Sequence, residues 1–133
     1  MTLQKKIALI TGATSGIGES TSYELADKYS LILCGRNQKK LDELESKLSE
    51  KTKVKTLNFD VRNQKQVENQ LKGLSEYWKQ INVLINNAGN AHGLDYIDQG
   101  NIEDWESMID INVKGLLFIS SIHACMYDSC MDA

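Results

Sequence analysis

The 133-residue sequence contains no proline, only three cysteines and nearly balanced charge. Average usage of about 5% would give roughly six or seven prolines in a chain of this length. Cys34, Cys125 and Cys130 have neither CxxC spacing nor an even count, so neither a disulfide framework nor a cysteine metal site is indicated. We predict that Cys34, inside an apolar run, is a buried free thiol and that the protein is cytoplasmic.

The net charge of −3 arises from interspersed Lys, Arg, Asp and Glu, and no basic stripe is present. Nucleic acid is therefore not an expected partner. The N-terminus leads into a short apolar run that ends at a glycine, without the apolar core of a signal peptide. We find no apolar run of membrane-spanning length and expect no membrane partner.

Short apolar runs alternate with amphipathic stretches along the chain. The runs are too short for helices and predict strands over Lys6–Thr11, Ser30–Cys34, Val54–Phe59 and Val83–Asn86. The stretches between them predict helices over Ile17–Tyr29, Gln38–Glu50 and Asn63–Trp78, followed by a helix that begins near Asn101. On the last helix we expect five residues to point inward, namely Trp105, Met108, Ile109, Leu116 and Leu117. Strict alternation predicts an α/β fold with a doubly wound parallel sheet in one domain.

The turn after the first predicted strand carries three glycines, in "TGATSGIG" from Thr11 to Gly18. In a parallel sheet this turn lies where a helix N-terminus meets a phosphate group. Gly12 allows a sharp turn, Gly16 has no Cβ to keep a phosphate from the backbone, and Gly18 allows close packing of helix on strand. An ordinary glycine-rich loop is the alternative for three glycines alone.

Three further motifs accompany this turn, "DVRN" at Asp60 to Asn63, "NNAG" at Asn86 to Gly89 and "INVKG" at Ile111 to Gly115. Together they resemble the short-chain dehydrogenase/reductase family, and most closely its NADP-dependent 3-hydroxy acid (serine-type) dehydrogenases. The resemblance covers the chain up to about Ser120. It implies a partial Rossmann-type sheet of about four strands in the order 3-2-1-4, lacking the later strands, with the fourth strand at an edge.

The resemblance also assigns cofactor-binding residues by matching position. Five would surround the pyrophosphate, namely Gly12, Ser15, Gly16, Ile17 and Gly18. Asp60 and Val61 would flank the adenine, and Asn87, Ala88 and Gly89 would line the adenosine ribose side. The alternatives are a capping role for Asp60 and ordinary turn roles for Asn86 and Asn87.

The second predicted strand ends in "CGRN", from Cys34 to Asn37. An NAD-binding protein normally places an acidic residue here, on the ribose 2′-hydroxyl. Gly35 occupies that place and Arg36 offers a cationic fork suited to a 2′-phosphate, so the sequence favours NADP as cofactor over NAD. A plain surface arginine is the alternative.

Carbonyl reduction needs an acid that protonates the developing alkoxide. In the resembled family this is a tyrosine followed four residues later by a lysine, assisted by a serine and a helix asparagine. Asn112 matches the asparagine, and its alternative is a side chain bonded to a carbonyl or water inside its own helix. None of the five tyrosines is followed by the lysine. We expect His92 and His123 to be surface residues rather than substitute acids, and no metal site is indicated.

We therefore expect residues 1–133 to form a single incomplete dinucleotide-binding domain of an NADP-dependent oxidoreductase with a small-molecule substrate. We expect the segment 120–133 to be an atypical tail, which a frameshift or a truncated coding sequence would produce, and the chain alone to be inactive. For the tail, the alternative is a natural short form with a real C-terminal helix end. The alternative is a catalytically inactive nucleotide-binding module that pairs with a partner. Because the Asn112 helix commonly contributes to a dimer interface in the resembled family, we also expect a homo-oligomer.

Overall fold

A computed structural model describes residues 4–90 and 95–127 of the chain. Its four parallel strands are β1 (Lys6–Ile10), β2 (Tyr29–Gly35), β3 (Val54–Asn58) and β4 (Ile81–Ile85). The strand order is β3-β2-β1-β4, which confirms the predicted order and places β4 at an edge of the sheet. Ile7 of β1 pairs with Ile81 of β4, and the pairing register shifts between Ile7 and Ala8. At this irregularity the Oδ1 of Asn82 accepts the backbone N–H of Ile7 at 2.9 Å.

The strands alternate with helices as the sequence predicts. The helical elements are α1 (Gly16–Leu25), α2 (Gln38–Leu48), α3 (Gln64–Lys72), α4 (Glu76–Lys79), α5 (Ile102–Ile109), a π-helical segment (Asp110–Gly115) and α6 (Leu116–Tyr127). Asn37, Asn63 and Asn101 each cap a helix with the side-chain oxygen. These caps satisfy backbone N–H groups that the first helical turn leaves without a partner.

Both faces of the sheet are covered, because alternate residues of the central strands point to opposite sides. Ile7 and Leu9 lie in one core cluster, together with residues of α3 and α6. Ala8 and Ile10 lie in a second cluster, with residues of α2. Cys34 is buried with a free thiol, as predicted, and burial raises its pKa. The doubly wound α/β architecture is confirmed.

Two predicted helix boundaries were wrong. The first helix ends at Leu25 rather than Tyr29, because Tyr29 pairs with Lys6 and begins β2. The predicted helix over Asn63–Trp78 is two helices, because Gly73 ends α3 and Ser75 begins α4. Glycine is a weak helix former, which explains the break at Gly73. The prediction missed both boundaries because neither interrupts the apolar periodicity on which it depended.

The inward face of the last helical segment also differs from the prediction. Ile109, Leu116 and Leu117 are exposed, whereas Ile111 and Ile119 are buried. The segment Asp110–Gly115 is π-helical. Because a π-helical turn holds more residues than an α-helical turn, it rotates the residues that follow it about the helix axis.

The prediction that the chain has no segment of membrane-spanning length was also wrong. By length and composition alone, Ile102–Met126 is long and apolar enough to cross a bilayer. Only 17% of its most apolar 18-residue stretch is buried. Core helices that are mostly buried pass the same test, so length and composition alone are weak evidence for a membrane span. Here α6 packs against α3 and carries Ile119 into the core, which is the role of a helix that covers a sheet.

Candidate functional site

The glycine turn lies at the carboxyl end of β1, as predicted. Gly12 has a φ of +61°, which is favourable only for glycine, and a Cβ at this position would lie 2.9 Å from the Cα of Ala88. A Cβ on Gly18 would overlap the carbonyl oxygen of Gly12. The absence of both side chains therefore brings the first turn of α1 directly against the end of the strand.

The start of α1 faces open space. Gly16 has a φ of +54°, and no atom of the described residues lies within 4 Å of the position that a Cβ would occupy. Ser15, at the N-cap, makes no side-chain capping bond within the described chain, and Ile17 is 77% exposed. The first backbone N–H groups of a helix have no partner inside the helix, so this end can bind an anion.

Thr11 connects the ends of β1 and β4. Its hydroxyl oxygen accepts the backbone N–H groups of Asn87 and Ala88 at 3.0 and 2.9 Å. The side-chain amide of Asn87 donates to the carbonyl oxygens of Thr11 and Gly12 at 3.2 and 3.0 Å. Sequence reasoning missed Thr11, although the quoted motif begins with it. The "NNAG" segment is thereby held beside the glycine turn.

A cleft of about 660 Å³ opens between these turns and the end of β2. Seven residues of the predicted cofactor site line it, namely Gly12, Ser15, Arg36, Asp60, Val61, Ala88 and Gly89. The other four do not line it: Gly16, Ile17 and Gly18 lie in the first turn of α1, and Asn87 lies in the "NNAG" segment. Sequence reasoning missed Thr14, Asn37, Gln38, Asn90 and Ile111, which also line the cleft. Only the fold topology could have identified these residues, since each follows a strand end or faces one.

Asp60 lies between two arginines at the rim of this cleft. The Nε of Arg62 lies 3.0 Å from both carboxylate oxygens of Asp60, and its Nη2 lies 2.7 Å from Oδ2. The Nη1 of Arg36 lies 3.8 Å from the same Oδ2. The side-chain hydrogen bonds from Arg62 hold the pKa of Asp60 below its usual range, although partial burial opposes this shift.

Asn112 lies in the π-helical segment and contacts the loop that follows β4. Its Oδ1 accepts the backbone N–H of Asn90 at 2.9 Å, and its Nδ2 donates to the backbone carbonyl of Asn90 at 2.8 Å. A Cβ on Gly89 would lie 3.0 Å from the same Oδ1. The alternative that Asn112 bonds a carbonyl of its own helix is not what the structure records. Its amide instead fixes the cleft wall.

The remaining candidate acids lie apart from the cleft or outside the described residues. His123 places its Nε2 3.2 Å from the carbonyl oxygen of Ile81, at the amino end of β4 and away from the cleft. His92 lies outside the described residues. Within residues 4–90 and 95–127, no three His, Cys, Asp or Glu side chains group as metal ligands.

The tail that the sequence marks as atypical continues α6 as far as Tyr127. Ile122 and Met126 pack against the core cluster that contains Ile119. Residues 128–133 lie outside the described part of the chain.

A family model described as "short chain dehydrogenase" matches residues 6–128. The NADP-dependent 3-hydroxy acid dehydrogenase YdfG of Salmonella typhi is 40% identical over 115 residues, which are 86% of this chain and 46% of that protein. Sulfoacetaldehyde reductase 2 of Chromohalobacter salexigens is 41% identical over the same shares of the two chains. The chain thus spans about half the length of these curated relatives. The predicted resemblance, including the 3-hydroxy acid dehydrogenases, is confirmed.

Solved structures show the same likeness. The serine dehydrogenase of Escherichia coli superposes with a TM-score of 0.85 at 36% identity, over 90% of this chain and 55% of that chain. The closed form of serine dehydrogenase in complex with NADP⁺ gives a TM-score of 0.82 at 37% identity, over 87% of this chain and 47% of that chain.

Proposed function

This chain belongs to the short-chain dehydrogenase family, and from that premise we propose that its cleft binds NADP as part of an oxidoreductase for hydroxyl or carbonyl substrates. The single observation that carries the proposal is the placement of Arg36 in one cleft with the glycine turn. The names of the relatives support NADP and suggest a 3-hydroxy acid as the substrate class.

The residues present fit a dinucleotide phosphate. Gly16 leaves open space in front of the N-terminal backbone of α1, where N–H groups would donate to the pyrophosphate. Arg36, with 61% of its side chain exposed, presents its guanidinium to the rim, where it would bind the 2′-phosphate. Val61 and Ile111 also line the cleft, and we propose that they would supply an apolar contact for the adenine. The bound cofactor supplies the hydride chemistry.

Asn112 supports this site indirectly. By bonding both backbone groups of Asn90, it holds in place the cleft wall that continues from Ala88 and Gly89. We propose that its part in catalysis follows from this positioning, in line with the resemblance.

The cofactor proposal is tested by calorimetric titration with adenosine 2′,5′-bisphosphate and 5′-AMP, which differ only in the 2′-phosphate. We expect weak binding with a preference of about tenfold for the bisphosphate, the size of a charge-assisted contact. Arg36→Ala should abolish the preference, and Lys39→Ala, an equal charge change on the exposed side of α2, should retain it. Equal affinities in the unaltered chain would contradict the proposal.

We further propose that the 133-residue chain alone transfers no hydride above background, because it contains no Tyr-x-x-x-Lys sequence. Absorbance of NADPH at a nicotinamide band, with carbonyl and 3-hydroxy acid substrates, measures this. Steady turnover by a purified sample that Gly16→Trp abolishes would mean that a group other than a Tyr-x-x-x-Lys pair supplies the proton. If activity appears only with a full-length relative present, the alternative of a partner-pairing nucleotide module is favoured.

We also propose a homo-oligomer and a cytoplasmic location. Exposed apolar residues on the last helical segment, including Ile109, Val113 and Leu117, support self-association. The free thiols of Cys34 and Cys125 support a reducing compartment.

A further inference from the structure

The Arg62 contact with Asp60 is built into a turn. The carboxylate Oδ1 of Asp60 accepts the backbone N–H of Arg62 at 2.9 Å, and the backbone N–H of Asp60 donates to Gln66 Oε1 at 3.0 Å. These bonds fix the guanidinium of Arg62 against both carboxylate oxygens. Arg62 lies on the surface that adjoins the cleft, whereas Asp60 lines the cleft itself. Arg62 therefore affects the cleft only through its contact with Asp60.

The charges of Arg36, Asp60 and Arg62, which we call the rim cluster, determine how strongly an anion binds at Arg36. Without Arg62, the carboxylate of Asp60 would repel an incoming phosphate and attract Arg36, whose Nη1 is already 3.8 Å from Oδ2. With Arg62 in place, two cations surround one anion and the cluster retains a positive charge. Asp110 adds a smaller attraction to Arg62, but it also forms an ion pair with Lys114 at 3.3 Å. The forked contact with Asp60 dominates.

We propose that Arg62 is a positioning residue for cofactor selectivity, which neutralises Asp60 and so leaves Arg36 available to the 2′-phosphate. The inference rests on the proposed NADP function. It assigns Arg62 no contact with the nucleotide, so the residue acts on the preference between phosphorylated and unphosphorylated ligands rather than on binding as a whole.

The test measures affinities of the 133-residue chain for adenosine 2′,5′-bisphosphate and 5′-AMP by titration. Arg62→Gln should lower the preference for the bisphosphate by about three- to tenfold, the effect of one neighbouring charge on a dianion at a solvent-open site. The affinity for 5′-AMP should stay within about twofold, and the loss of preference should shrink at about 0.5 M salt, where the Debye length is short.

Two further variants separate this role from a general effect of charge or folding. Lys65→Gln removes a cation from the same adjoining surface, and Lys65 has no hydrogen bond or ion pair to Asp60 among the described residues. It should change the preference less than about twofold, since exposed charges are strongly screened. The double variant Asp60→Asn/Arg62→Gln removes both opposite charges and should restore the ratio of the two affinities to about that of the unaltered chain. Because Asp60 flanks the proposed adenine position, both absolute affinities can change in this variant, but the two ligands share the adenine and that change cancels in the ratio.

The outcomes distinguish the two proposals. Equal affinities in the unaltered chain overturn the NADP function, and this inference with it. A preference that survives Arg62→Gln, that falls equally with Lys65→Gln, or that the double variant does not restore overturns the role of Arg62 alone. An equal fall of both affinities in Arg62→Gln, with altered circular dichroism, indicates a purely structural role and also overturns it.

Discussion

Apolar residues occur both in the central strands and in the last helical segment, which comprises α5, the π-helical segment and α6, yet the two sets lie in different surroundings. In β1 and β2 nearly every side chain is buried, and the two faces feed two separate core clusters. Between Ile102 and Leu117, five apolar residues are exposed, namely Ile102, Ile109, Val113, Leu116 and Leu117. The apolar residues of the strands therefore complete a core, and those of the last helical segment remain available for an interface.

The largest test of this comparison is a matched pair of leucine truncations. Leu31 of β2 is completely buried, so Leu31→Ala should lower the free energy of unfolding by about 2–5 kcal/mol through lost burial and a residual cavity. Leu117 is 56% exposed, and Leu117→Ala should change it by less than about 0.5 kcal/mol. Urea denaturation measures both. Similar losses in the two variants would mean that Leu117 is covered in solution.

Thr11 tests the buried strand region, because its hydroxyl connects the end of β1 to the end of β4. Thr11→Val keeps the shape of the side chain but leaves the backbone N–H of Ala88 without its acceptor and the N–H of Asn87 with only the carbonyl oxygen of Ile85, at 3.1 Å. We expect a loss of about 1–3 kcal/mol in the free energy of unfolding. Thr21→Val is the control, since the Thr21 hydroxyl bonds only within α1 at an exposed position. Equal effects of the two substitutions would contradict the role of Thr11.

Measurements of self-association test whether the exposed apolar residues of the last helical segment form an interface. Val113→Lys/Leu117→Lys places two charges on the exposed apolar face. If that face is an interface, its dissociation constant should rise tenfold or more, which corresponds to about 1.4 kcal/mol, with little change in thermal stability. Sedimentation velocity over a concentration range measures it. Lys28→Glu, at an exposed turn on the opposite side of the sheet, is the control, and a monomer at all concentrations before substitution would contradict the proposed oligomer.

The same comparison explains how far the sequence predicts the structure. The strands could be predicted because short apolar runs alternate with amphipathic helices. Their order followed from the resemblance to the short-chain dehydrogenase/reductase family. The orientation of Leu116 and Leu117 could not, because the π-helical segment changes the helical period within the chain. Periodicity assigns a face only where the period is constant.

For the candidate site, local motifs predicted which loops meet but not how they are held together. The cleft gathers the glycine turn, Arg36 and the "NNAG" segment as the topology requires. The bonds from Thr11 to Asn87 and from Asn112 to Asn90 join residues 76 and 22 positions apart. Contacts at such separations depend on the completed sheet, so no local pattern predicts them. Arg62 was missed for another reason, since it acts on the site only through Asp60.

The smallest expected effect concerns the pH dependence of stability at Asp60. Because Arg62 holds the pKa of Asp60 below its usual range in the folded chain, the contribution of this carboxylate is fully present above its unfolded pKa. It is lost as the pH falls through the lower, folded pKa. We expect the difference in free energy of unfolding between the unaltered chain and Asp60→Asn to be under about 1 kcal/mol at neutral pH, as for other solvent-accessible ion pairs.

That difference should shrink progressively below about pH 4, the ordinary range of an aspartate, and unfolding curves measured at intervals between neutral and acidic pH follow it. Arg62→Gln serves as the matched variant, because removing the cation should return the pKa of Asp60 toward its ordinary value and flatten the same dependence. A difference that grows on acidification would mean that burial, which acts in the opposite direction on this carboxyl, outweighs the Arg62 hydrogen bonds. Asp60 would then fail to act as the anion that links the two arginines at the rim of the cleft.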